Sequence, residues 1–79
     1  MNVDSKWIEM RQIPFKGKTL QWAVISKAGG IELGRIKWYT PWWQYAFFPI
    51  RGTLYEEDCL RDIAGFLEAH TTFHKSKGK

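Results

Sequence analysis

Only one cysteine, Cys59, occurs among the 79 residues, so no internal disulfide can form and a reducing, cytoplasmic compartment is expected. Long hydrophobic runs are missing as well. The longest, Tyr45 to Ile50, covers six residues and contains Pro49, too short to cross a membrane, and no signal-peptide-like stretch opens the chain. No membrane partner is therefore expected. Histidine is sparse: His70 and His74 have the i, i+4 spacing that can hold a metal on a helix, but no third ligand is placed with them. Gly29-Gly30 reads as a turn rather than a phosphate loop. With no nucleophile–base pair and no metal motif, the expectation is a non-enzymatic protein without cofactor or metal.

Acidic residues are scarce and confined. The chain carries twelve Lys/Arg against eight Asp/Glu, a net charge of +4. Residues 1–51 hold eight cations and three acids, a net +5. Residues 52–70 set Arg61 against Glu56, Glu57, Asp58, Asp62 and Glu68, a net −4, and the last nine residues add Lys75, Lys77 and Lys79. This segregation suits either an ordinary solvated surface or a basic face for an anionic partner.

What the chain does have is aromatic surface. Seven of the eleven residues from Trp38 to Phe48 are aromatic: Trp38, Tyr39, Trp42, Trp43, Tyr45, Phe47 and Phe48. Large rings must be covered to contribute stability, and the pattern around them is that of strands. Trp7–Ile13, Thr19–Ser26, Ile31–Tyr39 and Trp42–Phe48 read as strands, separated by a turn at Phe15-Lys16-Gly17-Lys18, a hairpin loop at Lys27-Ala28-Gly29-Gly30 and a turn at Thr40-Pro41. A two-residue connection at Thr40-Pro41 would set Trp38 opposite Trp43 and Ile36 opposite Tyr45. The apolar parity switches near Gly34, which predicts a β-bulge at Gly34-Arg35.

Thr53 and Glu56 have capping-box spacing, and Leu60, Ile63, Phe66 and Leu67 follow at helical intervals, predicting an amphipathic helix that ends near His70. Cys59 falls on its apolar side as a small buried hydrophobe. The fold class is thus α+β: a three- or four-stranded antiparallel sheet with one C-terminal helix packed on one face. Residues 6–72 are expected to form a single compact domain, with flexible ends at 1–5 and 73–79. The expected core is Trp22, Ile36, Trp38, Trp43, Tyr45, Phe47, Leu60, Ile63, Phe66 and Leu67.

The helix can cover one face of the sheet, which leaves the other open. That open face would carry Arg35, Lys37, Tyr39, Trp42, Gln44 and Gln21. Cations interleaved with rings and amides suit nucleic acid, since rings stack on bases and cations meet phosphates. The plainer reading is that Tyr39 and Trp42 brace the hairpin end while the charges solvate it. A third is that the same residues anchor a protein partner. No named nucleic-acid signature is present.

The segments Leu33-Gly34-Arg35-Ile36-Lys37-Trp38-Tyr39, Pro41-Trp42-Trp43-Gln44-Tyr45-Ala46-Phe47-Phe48-Pro49 and Cys59-Leu60-Arg61-Asp62-Ile63-Ala64 resemble a family of short uncharacterised bacterial and phage proteins. Its pattern is LGxIKWYxxWRxYxFFP followed by a CLxxIxxF helix. Trp43 stands where that pattern usually carries Arg. The resemblance implies a compact hairpin-plus-helix domain in a phage or prophage setting, where nucleic acid or a host protein would be the partner, the latter for an inhibitor or adaptor. It implies no mechanism.

Overall fold

Alternating apolar residues build an antiparallel sheet whose strands follow one another in chain order: β1 (Val3–Asp4), β2 (Ile8–Ile13), β3 (Gln21–Ser26), β4 (Glu32–Tyr39) and β5 (Gln44–Pro49). A single helix, α1 (Glu57–Lys77), follows the sheet. The computed structural model describes residues 3–4, 6–14 and 17–77. Phe15 and Lys16 of the turn expected between the first two long strands lie outside the described residues. Four strands of six to eight residues form the antiparallel sheet of the expected α+β fold. The two-residue β1 adds a short pairing to one edge, Val3 against Met10 and Asp4 against Glu9.

Side chains alternate across the strands. Ile8 and Met10 of β2, Trp22 and Val24 of β3, Ile36 of β4 and Tyr45 of β5 are buried on one face. Helix α1 lies over that face through Cys59, Ile63 and Phe66, and Leu33, Trp38, Phe47, Tyr55 and Leu67 pack around this core. Trp22 is 1% exposed and central. Its ring meets Tyr45 at 5.5 Å and Phe66 at 4.8 Å, both edge-to-face. Such pairs add to the area they bury by roughly 0.5–1.5 kcal/mol each.

The β4–β5 register differs from expectation by two residues. Trp38 pairs with Tyr45 and Ile36 with Phe47. The connection is four residues long: a 3-10 turn over Thr40–Trp42, then Trp43 in the left-handed region at φ 52°. The Trp43 amide donates to the Thr40 carbonyl at 3.0 Å and closes the turn. A shift of two preserves parity, so Ile36, Trp38, Tyr45 and Phe47 keep the face expected for them. Trp43 does not join the core; it leaves the strand and is 65% exposed. Leu60 is also outside the core, 51% exposed. The buried stripe of α1 runs through Cys59, Ile63 and Phe66, and Leu60 stands about 100° around the helix from Cys59.

The bulge is one position from where the parity switch placed it. Val24 pairs with Gly34 and Ile25 with Glu32, so Leu33 is the additional residue. Its side chain packs against the core. Gly34 is needed here for close approach. A Cβ on it would lie 2.5 Å from the Phe48 carbonyl oxygen and 2.7 Å from the Phe47 ring. The Lys27–Gly30 loop forms as expected, with positive φ at Gly29 and Gly30.

Both helix ends depart from the sequence reading. At the N-terminus Glu56 is the cap: its Oε1 accepts the Cys59 amide at 2.6 Å, and its carbonyl accepts the Leu60 amide. Thr53 instead donates to the Ile50 carbonyl at 2.7 Å, and the Tyr55 hydroxyl donates to the Leu33 carbonyl at 2.8 Å, fastening the connection to the sheet. At the C-terminus α1 continues to Lys77, through residues expected in the tail. His70 and His74 carry it onward, because their rings lie 4.5 Å from Trp22 and 4.4 Å from Trp38. Thr71 adds a further tie: its Oγ1 accepts the Tyr45 amide at 2.9 Å, from the β5 edge.

Candidate binding face

The face of the sheet opposite α1 follows from the pairings. Arg35 is opposite Phe48, Lys37 opposite Ala46 and Tyr39 opposite Gln44, with Gln21 on the neighbouring strand opposite Ile13. Arg11 and Arg35 flank the buried Ala23 on either side. Arg35, Lys37, Tyr39 and Gln21 therefore share one side of the sheet, with Trp42 on the turn at its end. Gln44, paired with Tyr39 at the β5 edge, also lines a separate hollow with Ala64, Leu67, Glu68, Thr71 and Thr72 of α1. Phe48 belongs with them. Continuing the even-numbered alternation from Gln44 and Ala46 by one more step finds it.

This face is less basic than its cations suggest. Arg35 Nε bonds Glu32 Oε2 at 2.9 Å, and Arg11 Nε bonds Glu9 Oε2 at 3.0 Å. The hydrogen bond from Arg11 holds the Glu9 carboxyl below the usual glutamate range. Both pairs are largely exposed, where such contacts are weak and exchange readily. Lys37 differs: it has no carboxylate partner among the described residues, and its Nζ sits 4.6 Å over the Phe48 ring.

The rings converge at the hairpin tip. Tyr39 meets Trp42 edge-to-face at 4.8 Å and Phe48 at 6.1 Å. Trp42 is 64% exposed and Phe48 37%. Tyr39, Trp42, Ala46, Phe47 and Phe48 line a shallow hollow of about 260 Å³. Pro41 and the closed 3-10 turn hold Trp42 in place. The chemistry on offer is ring stacking, a Lys37 ammonium that has no carboxylate partner among the described residues, and an amide from Gln21.

The other titratable groups lie apart from this face. Burial pushes the Cys59 thiol above its ordinary range and the His70 imidazole below its own. His70 and His74 are packed on tryptophan rings, and among the described residues no group of three His, Cys, Asp or Glu side chains is placed to hold a metal ion. Among the same residues no helix is long and apolar enough to cross a membrane.

Sheet, single covering helix and aromatic-tipped open face define the class: a small α+β protein with one side of its sheet bare. The chain belongs to a family of short phage proteins. It is 33% identical over 69 residues to an "Uncharacterized 9.3 kDa protein" of Acholeplasma phage L2, with 85% of this chain and 88% of that protein covered. No protein-family model and no solved structure matches it.

Proposed function

We propose that this is a non-enzymatic module that binds nucleic acid through the open face of its sheet. The observation that carries this reading is the exposed Trp42–Tyr39–Phe48 cluster with Lys37, which has no carboxylate partner among the described residues, over the Phe48 ring at its edge. Base–aromatic stacking supplies sequence-tolerant affinity, and cations supply the salt-dependent part. Arg35 joins by exchanging Glu32 for a phosphate, and Gln21 supplies hydrogen bonds. With two or three phosphates contacted, log K should fall with log salt at a slope of about −1.5 to −2 for a single strand. The hairpin pattern from Leu33 to Pro49 is, on this reading, the binding element of the family. Fluorescence anisotropy with labelled DNA and RNA oligonucleotides at low salt tests it. Binding should be detected, and Arg35→Ala with Lys37→Ala should weaken it. No binding at concentrations on the order of tens of micromolar, or binding indifferent to the double substitution, overturns it.

A second reading rests on the exposed tryptophans of the turn. Two adjacent tryptophans, Trp42 and Trp43, stand exposed at the tip, and Trp is prominent among interface anchors. In an inhibitor or adaptor of a host protein they would fill pockets on that partner. Capture of one host protein from nuclease-treated lysate, lost on Trp42→Ala with the fold intact, would favour it. Equal capture by Trp42→Ala would remove it.

A further inference from the structure

We propose that the hollow beneath Trp42 receives one unstacked nucleobase, so that the protein selects single-stranded over duplex nucleic acid. This rests on the nucleic-acid reading above and adds to it the form of the ligand.

Size comes first. The hollow holds about 260 Å³, below the roughly 300–1,000 Å³ of sites that take drug-sized molecules. It suits one planar ring system. Its lining comes next: Tyr39, Trp42 and Phe48 supply rings, and Ala46 supplies a floor with little side chain to fill the space, while the Phe47 ring lies on the covered face against Tyr55. Tyr39 and Trp42 meet edge-to-face, so their planes are not stacked on each other. Trp42 keeps nearly two-thirds of its surface free.

Charge is placed to match. Lys37 lies over Phe48, one wall of the hollow, and Arg35 is the cross-strand partner of the same Phe48. A base seated among the rings thus leaves its phosphate near Lys37, with Arg35 in reach once it exchanges Glu32 for the phosphate. A duplex has its bases paired and stacked and can offer none to this hollow without paying for unstacking. Its phosphates alone would meet Lys37 and Arg35.

The test compares three fluorescein-labelled ligands of equal length and charge by anisotropy: a single-stranded oligothymidine, the same backbone with abasic sites throughout, and a closed DNA hairpin duplex. The single strand should bind at least about fivefold more tightly than either control, and Trp42→Ala or Phe48→Ala should remove that advantage, a loss of roughly five- to a hundredfold. Trp42→Phe should restore part of it. Circular dichroism confirms that the variants fold. Equal binding of normal and abasic strands, with Lys37→Ala still weakening both, overturns the base hollow and leaves the nucleic-acid reading standing. Failure of all three ligands to bind overturns both.

Discussion

The two faces of the β4–β5 hairpin carry similar rings in similar geometry, with opposite consequences. On one face Trp38 meets Tyr45 edge-to-face at 5.3 Å; on the other Tyr39 meets Trp42 edge-to-face at 4.8 Å. Pair geometry does not distinguish them. The helix does. Trp38 and Tyr45 are each met by His74, and Tyr45 also by His70, whereas among the described residues the Tyr39–Trp42 pair has no ring contact with the helix. Aromatic pairing organises both faces, but the covered one converts more ring area into stability, because Tyr45 is 5% exposed there while Trp42 on the other face is 64% exposed.

The sharpest way to break this comparison is to delete one large ring from the covered side. Trp22→Ala should cost roughly 3–5 kcal/mol, read by urea denaturation, a large part of the about 5–15 kcal/mol that holds a domain together. Trp38 is only half-buried, so its removal should cost less; a larger loss for Trp38→Ala would mean that the centre of the core lies elsewhere. Next, Gly34→Ala drives a methyl group against the Phe48 carbonyl, backbone that cannot swing aside. An overpacking loss of about 1–3 kcal/mol is expected, and an unchanged midpoint would contradict the close approach of β4 and β5.

Thr71→Val keeps the shape but strands the Tyr45 amide, and should lower stability by about 1–2 kcal/mol. A neutral result would mean that water replaces the hydroxyl. Acidification is a gentler probe. Burial holds the His70 imidazole below its ordinary value, so its folded pKa lies beneath the unfolded one near 6.5. The stability associated with neutral His70 is present above that value and is lost as pH falls through the folded pKa. Melting temperature should be flat from neutral to mildly basic pH and should decline below about pH 6.5, with His70→Gln flattening the decline. A rise on acidification would show that the charged ring gains more from Trp22 than burial costs. Smallest of all, Trp42→Ala should change stability by no more than about 0.5 kcal/mol, measured beside Trp22→Ala under the same conditions. A loss comparable to Trp22→Ala would abolish the distinction between the faces.

Fold class and face assignment were legible in the sequence because they depend on parity, which survives a register error of two. Loop length was not. Thr40-Pro41 has the look of a tight turn, and no glycine marks the left-handed position, since Trp43 occupies it. The placement of Trp43 in the core failed for that reason alone. The helix end was misjudged because histidine reads as polar, while His70 and His74 spend their ring faces on tryptophan. Of the open face, the residues were legible and the charges were not: Arg35 and Glu32 are three apart in sequence, and only the β-bulge beside them sets how they meet.

One consequence of the β5 edge reaches beyond the single molecule. Bonding alternates along an antiparallel pair, and the Ile50 amide bonding inward to Leu33 fixes the phase. The outward positions of β5 are therefore 45, 47 and 49. Thr71 already occupies the Tyr45 amide, and Pro49 has none to give. Among the described residues, Phe47 is the position of this strand that keeps an outward donor without a partner, so the edge offers few donors to a neighbouring chain. A hydroxyl from the helix and one proline thus guard the most aromatic strand of the protein against edge-to-edge aggregation.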